Sequence, residues 1–249
     1  MPAGDRAARA VSFATVAAEY ERGRPGYPRE AIDWLLGTAP LEVLDLAAGT
    51  GKLTEAVLGA GHRVLAVEPL EAMRAILQDR LPAAEVLTGR AEQLPIEAAS
   101  VDAVVVGAAF HWFDQRPALD EVTRVLRRPG VLGLLGNAFD TSTPWTGALR
   151  EILGPPAIQR PRHWPSRETL LERFEDIQDE HFPHTQIVTL AMLCDLALSR
   201  SSIAILPAEQ RDSVFARIEK LWRESPELAD ATEAPLPWVS RARRCAGLR

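Results

Sequence analysis

The 249-residue sequence predicts an α/β chain folded around a doubly wound, mostly parallel sheet. Two observations carry this. Between residues 41 and 136, short apolar runs alternate with amphipathic stretches of helical spacing, as βαβ units require. The runs are rich in Val and Leu and lack polar alternation, as strands buried on both faces do. In such sheets ligands bind beyond the carboxyl ends of the strands, where the strand order reverses.

The runs are Glu42–Leu46, Arg63–Val67, Glu85–Leu87, Ala103–Gly107 and Val131–Leu135. Helical patterns at Leu53–Leu58, Glu71–Leu81 and Ala118–Leu126 lie between them, and Gly61, Pro82, Pro129 and Gly130 mark helix stops. Ahead of the first strand, Val11–Tyr20 has helical spacing, Arg24-Pro25-Gly26-Tyr27-Pro28 is turn-rich, and Arg29–Leu36 is a second helix. Residues 140–180, rich in Pro, Trp and Arg, break the βα rhythm and are the expected substrate cover. Asp212–Trp222 reads as an amphipathic helix and Pro237–Arg241 as a last edge strand.

With 47% hydrophobic and 25% charged residues, the composition is that of an ordinary globular chain with a full core. The longest apolar run, Ala103–Phe110, falls far short of the ~20 residues that span a bilayer. No apolar stretch follows the opening Met-Pro-Ala-Gly-Asp-Arg, so the cytoplasm is the expected compartment, without a membrane partner. The net charge of −6 argues against a nucleic-acid partner, which calls for a basic face. Cys194 and Cys245 form no CxxC pair, and His181 and His184 have no third ligand at useful spacing, so no metal is expected.

The strongest motif is Val43-Leu-Asp-Leu-Ala-Ala-Gly-Thr-Gly-Lys-Leu53. A buried strand ends near Asp45, and a turn of small residues then opens a helix. Gly49 and Gly51 carry no Cβ, so the backbone there can approach a ligand closely. A P-loop needs an earlier glycine and a hydroxyl after the lysine, and the dinucleotide motif needs a third glycine where Thr54 stands. Neither fits. Glu68 lies 23 positions beyond Asp45, at the end of the second strand, where a carboxylate can accept both hydroxyls of a ribose. The third motif is Gly89-Arg-Ala-Glu-Gln-Leu-Pro95, and the fourth is Ala108-Ala-Phe-His-Trp-Phe-Asp114 just past the fourth strand.

The D-x-A-x-G-x-G pattern from Asp45 to Gly51 resembles the first motif of the class I S-adenosylmethionine (SAM) methyltransferases, although Ala47 replaces the usual glycine. The resemblance implies a Rossmann-like, seven-stranded methyltransferase fold with an N-terminal helical lid and a substrate-covering insertion. It implies SAM as cofactor and S-adenosylhomocysteine as product. The turn containing Asp45, Ala47, Ala48, Gly49 and Gly51, with Leu53 after it, would wrap the methionine part, while Glu68 and Pro69 would hold the ribose. Arg90 stands where many members carry an aspartate for the adenine amino group, which leaves Ala91 and Glu92 for the adenine edge. Ala108 would leave room for the cofactor. His111 has two roles open to it, a general base towards a hydroxyl acceptor or a loop-fixing histidine. Trp112 can face substrate or core.

Ala17 to Pro28 resembles the N-terminal lid of the trans-aconitate-methyltransferase-like group, in which Tyr20 and Arg24 would touch the cofactor's carboxylate or the substrate, the alternative being a structural turn anchored on the domain edge. The resemblance covers nearly the whole chain, with residues 140–210 matching in pattern only. It implies one methyltransferase domain over residues 1–249: a lid at 1–40, a SAM-binding core at 41–137, and a cover with the last strands at 138–249. Trp112, Phe113, Phe139, Trp145, Trp164, Arg160, Arg162 and Arg200 would suit an aromatic or acidic metabolite, with Tyr20, His111, Trp112, Phe139 and Trp145 nearest the acceptor. Small-molecule O-, N- or C-methylation by a monomer or homodimer is the expectation. A nucleic-acid or protein methyltransferase and a non-catalytic SAM-binding protein are the alternatives, the former lacking an N-P-P-Y type motif after the fourth strand.

Overall fold

The computed structural model describes residues 13–154, 164–228 and 230–249. A 3-10 turn, Phe13–Val16, leads into α1 (Ala17–Gly23), then α2 (Arg29–Leu36), β1 (Glu42–Leu46), α3 (Lys52–Gly59), β2 (Arg63–Val67) and α4 (Glu71–Arg80). Next come β3 (Glu85–Leu87), β4 (Val101–Gly107), a 3-10 turn at Phe110–Trp112, α5 (Gln115–Val125) and β5 (Leu126–Phe139). The remainder is α6 (Pro144–Leu153), α7 (Arg167–Leu171), β6 (Phe174–Val188), α8 (Leu190–Leu198), α9 (Ser201–Ala204), α10 (Ala208–Glu224) and β7 (Ala234–Leu248). No helix among the described residues is long and apolar enough to cross a membrane.

The seven strands form one sheet in the order β3-β2-β1-β4-β5-β7-β6. The pairs β1–β2, β1–β4, β2–β3 and β4–β5 are parallel. Strand order therefore reverses between β1 and β4, and that places the ligand crevice at their carboxyl ends. In the central strands, successive residues serve opposite faces. Leu44, Leu46, Val104 and Val106 pack with Leu119 and Val122 of α5, whereas Val43, Ala103 and Val105 pack with Ile32 and Leu35 of α2 and Val57 of α3. Both faces are covered, which is why these runs show no polar alternation.

Contacts divide the chain into two compact units. Of the described residues, one comprises 13–25, 138–154, 183–228 and 230–239, the other 26–137, 164–182 and 240–249. The first unit has its own core of Phe139, Trp145, Leu149, Leu196, Ile218 and Trp238. Within it, α1 lies against α8. Arg22 makes a two-pronged ion pair with Asp195 at 2.7 and 2.9 Å.

Three expectations change. The strand foreseen at Pro237–Arg241 is the middle of the longer β7, and it lies inside the sheet between β5 and β6. The edge strand on this side is β6, whose charged sequence and Pro183 suit a position with one unpaired side. The helix foreseen at Val11–Tyr20 is a 3-10 turn followed by the short α1, and Val11 lies outside the described residues. Finally, β5 starts at Leu126, so Pro129 and Gly130 lie within it. Val101 and Ala103 of β4 face Leu126 and Val131, so residues 127–130 bulge out of the ladder. A bulge accommodates a proline that has no N–H to donate.

The α1–α8 contact depends on Gly23. A Cβ there would stand 2.6 Å from the carbonyl carbon of Asp195 and closer still to the Leu196 nitrogen, and both are backbone atoms. Gly23→Ala should lower stability by about 1–3 kcal/mol or more in urea unfolding, as overpacking does. Gly26→Ala, whose Cβ meets nothing within 4 Å, should leave the midpoint unchanged. Equal midpoints for the two variants would contradict this close approach.

Candidate active site

The second unit carries the site at the carboxyl ends of β1, β2 and β4. After β1 the chain turns through the left-handed region at Ala47 (φ 57°), Gly49 (φ 60°) and Gly51 (φ 91°) before α3 begins. A non-glycine residue in that region is strained, and such strain gathers at functional sites. The two glycines do different work. A Cβ on Gly49 would meet nothing within 4 Å, so the turn borders open space there. A Cβ on Gly51 would stand 2.8 Å from Leu81 Cδ1 and 3.0 Å from Leu77 Cγ, so Gly51 makes room for the end of α4.

Two buried carboxylates flank this turn. Asp45 on β1 is fully buried, its Oδ2 accepts the Thr54 hydroxyl at 2.6 Å, and its Oδ1 has no protein partner. Burial pushes its pKa up to about 7, the negative charge of Glu68 adds to the shift, and the Thr54 hydrogen bond opposes it. Glu68 follows β2 and is 4% exposed. Its Oε2 accepts the Gly49 N–H and its Oε1 the Leu70 N–H, both at 2.9 Å. Burial also raises the Glu68 pKa, against these two amides and Arg74. A carboxylate oxygen with one donor can still accept another.

Beyond β3, Ala91 is buried in the core and Arg90 is exposed. Glu92 accepts the Asp114 N–H at 2.9 Å and lies 3.5 Å from the Arg90 guanidinium, which ties this loop to the start of α5. Pro69 is exposed beside Glu68. At the end of β4, Ala108 is also left-handed (φ 54°), and its N–H donates to Leu135 at 2.8 Å. Phe110 is buried in the turn that follows, while His111 and Trp112 are half-buried with ring centroids 4.5 Å apart. Trp112 packs against the core cluster that holds Phe110 and Leu119.

Tyr27 is a residue that sequence reasoning missed. Its hydroxyl would be 2.9 Å from a Cβ on Gly107, so the missing side chain at the mouth of β4 makes room for the phenol. The only signal was the pairing of that glycine with a tyrosine in the turn-rich segment, and spacing alone does not join positions 80 residues apart.

The remaining candidates belong to the first unit or to other packing. Arg24 donates to the Ser199 hydroxyl and carbonyl at 2.7 and 2.9 Å, and its guanidinium sits 5.2 Å from the Tyr20 ring centroid. Phe139 stacks on Trp238 at 4.4 Å, and Trp145 is buried in the same core. Phe113 is buried beside Phe110, Trp164 lies under Arg243, and Arg200 donates to the Gly154 carbonyl. Arg160 and Arg162 lie outside the described residues. The aromatic and basic set foreseen for an acceptor is thus largely engaged in packing, because large apolar rings gain most from burial.

Residues 44–134 match the family model described as a methyltransferase domain. A Mycobacterium tuberculosis protein designated an uncharacterized methyltransferase is 42% identical over 232 residues, covering 92% of this chain and 93% of that protein. The chain belongs to the class I SAM-dependent methyltransferase family. A Schizosaccharomyces pombe methyltransferase-like protein is 30% identical over 239 residues, 93% of each chain. Among solved structures, an Anaeromyxobacter dehalogenans protein assigned as a type II methyltransferase shares the fold, with a TM-score of 0.65 and 23% identity over 90% of this chain and 97% of that one.

The buried Asp45 gives this methyltransferase a pH signature. Its folded pKa of about 7 lies above the ordinary 3.8, so the folded protein keeps a proton that the unfolded chain releases. Its contribution to stability is present at acid pH and is lost as pH rises from about 4 to about 7. Asp45→Asn cannot ionise. Urea midpoints of the ligand-free proteins should converge or cross in favour of the variant as pH rises through that window. Parallel profiles would show that the carboxyl titrates normally.

Proposed function

We propose that this methyltransferase transfers the methyl group of SAM to a small-molecule acceptor and releases S-adenosylhomocysteine. The observation that carries the reading is the buried Glu68 carboxylate, held by the amides of Gly49 and Leu70 at the switch point and with acceptor capacity left on both oxygens. In this reading Glu68 receives the two ribose hydroxyls beside Pro69. Ala47, Ala48 and Gly49 border the methionine portion, and the unpartnered Asp45 Oδ1 accepts from that side. Leu53, in the first turn of α3, and Ala108 flank the methyl-bearing end. Ala91 and Glu92 form the adenine edge.

Bound SAM supplies an electrophilic sulfonium methyl, so the protein's tasks are alignment and exclusion of water. His111, half-buried after β4, takes the proton that a hydroxyl acceptor loses as its oxygen bonds to the methyl carbon. The acidic net charge supports a small acceptor over a nucleic acid.

Glu68→Ala should weaken SAM binding at least about 10-fold in calorimetry, since charge-assisted hydrogen bonds contribute about 1.5–3 kcal/mol each. Unchanged affinity would remove the ribose assignment. His111→Ala should cut turnover of a hydroxyl acceptor by about 100-fold, and a loss below about threefold would leave His111 structural. Transfer of labelled methyl from SAM to pooled acidic and aromatic metabolites tests the acceptor class. Label entering only protein or nucleic acid would overturn it, and SAM binding without any transfer would favour a non-catalytic role.

A further inference from the structure

Helix α4 presents Arg74, Leu77 and Arg80 at helical spacing, and all three bear on the backbone of the two loops described above. Arg74 Nη1 donates to the carbonyls of Glu68 and Pro69 at 2.9 and 2.8 Å. Six residues on, Arg80 Nη1 donates to the carbonyl of Thr50, inside the glycine turn, at 3.0 Å. Its Nη2 reaches Glu55 of α3 at 2.9 Å. Between them the fully buried Leu77 packs with Ala48 and lies against Gly51.

On that side the turn is otherwise tied by the Ala48 N–H to the Val67 carbonyl at 3.2 Å and by the Gly49 N–H to Glu68. Thr50 is fully buried, yet its hydroxyl has no hydrogen-bond partner, so the side chain does not anchor the backbone. Pro69 has no N–H, so its stretch of chain has one backbone tie fewer. The step of six residues from Arg74 to Arg80 along α4 is a rise of about 9 Å. One helix is thereby tied to the backbone of both loops.

We infer that Arg74 and Arg80 are positioning residues: α4 is a spacer that holds the Glu68 loop and the glycine turn at the separation the cofactor spans. The inference rests on the cofactor reading proposed above. It adds a division of labour, with Arg80 governing the amino-acid end of the ligand through the turn and Arg74 governing the ribose end through the Glu68 loop.

The test titrates wild type, Arg80→Gln, Arg80→Lys, Arg74→Gln and Glu55→Gln with two probes. S-adenosylhomocysteine carries the amino-acid tail, and 5′-methylthioadenosine lacks it. Arg80→Gln should raise the Kd of S-adenosylhomocysteine about 10-fold and change that of methylthioadenosine less than about twofold, because charge-assisted hydrogen bonds are lost at one end only. Arg80→Lys should recover part of the loss and Glu55→Gln should weaken neither probe, while Arg74→Gln should weaken both alike at a wild-type urea midpoint, a lowered midpoint with that loss removing its positioning role. Loss of stability alone would move both probes together, so equal shifts for the two probes with Arg80→Gln would overturn the inference, as would no shift. Hydrogen exchange of the Gly49 and Gly51 amides without ligand gives a second readout, faster in Arg80→Gln and unchanged in Glu55→Gln. If wild type binds neither probe, the cofactor reading fails, and unchanged exchange in Arg80→Gln would then remove the positioning role as well.

Discussion

Glu68 joins the carboxyl ends of two neighbouring parallel strands through a single carboxylate, which accepts the amide of Gly49 beyond β1 and that of Leu70 beyond β2. Much of the site geometry follows from this bridge. It requires the turn after β1 to aim an N–H sideways, and the left-handed backbone at Ala47 and Gly49 accompanies that course. It sets α4 alongside the turn, and Gly51 leaves space there for Leu77 and Leu81 at the far end of that helix. The parallel register sets the distance: Asp45 faces Ala66 and Leu46 faces Val67, so the residue after Val67 arrives beside the turn.

The arrangement stores cost as well as contact. Asp45 and Glu68 are both removed from water, and burial raises the pKa of each. Asp45 also leaves one oxygen unpaired, a penalty of about 1–3 kcal/mol for a buried polar group. Ala47 and Ala108 hold strained backbone at the ends of the two strands that flank the switch point. The central sheet, covered on both faces by apolar side chains, supplies the stability that tolerates these terms. A ligand that hydrogen-bonds the unpaired oxygen relieves part of them, so binding should tighten the fold as well as fill the crevice.

Sequence reading reached furthest where burial and periodicity coincide. Glu42–Leu46, Arg63–Val67, Glu85–Leu87 and Arg29–Leu36 stand in the structure with the bounds the pattern implied, and Ala103–Gly107 and Val131–Leu135 lie within longer strands. Reading failed on β6, because a strand with exposed charges and a proline has neither alternation nor a continuous apolar run. It misplaced β7, since nothing local distinguishes an edge strand from its inner neighbour. Aromatic composition was equally ambiguous: Phe139 and Trp145 suggested an acceptor pocket, and both are core residues of the first unit. Arg74 and Arg80 were invisible for another reason. Their partners are backbone carbonyls, which carry no sequence signal.

The most direct measurement is a crystal structure of the protein with S-adenosylhomocysteine. The account predicts both ribose hydroxyls within about 3 Å of the Glu68 carboxylate oxygens, with the Gly49 and Leu70 amides still bound to that carboxylate. A ribose seated elsewhere, or a Glu68 that keeps its two amides and touches no ligand, would contradict it.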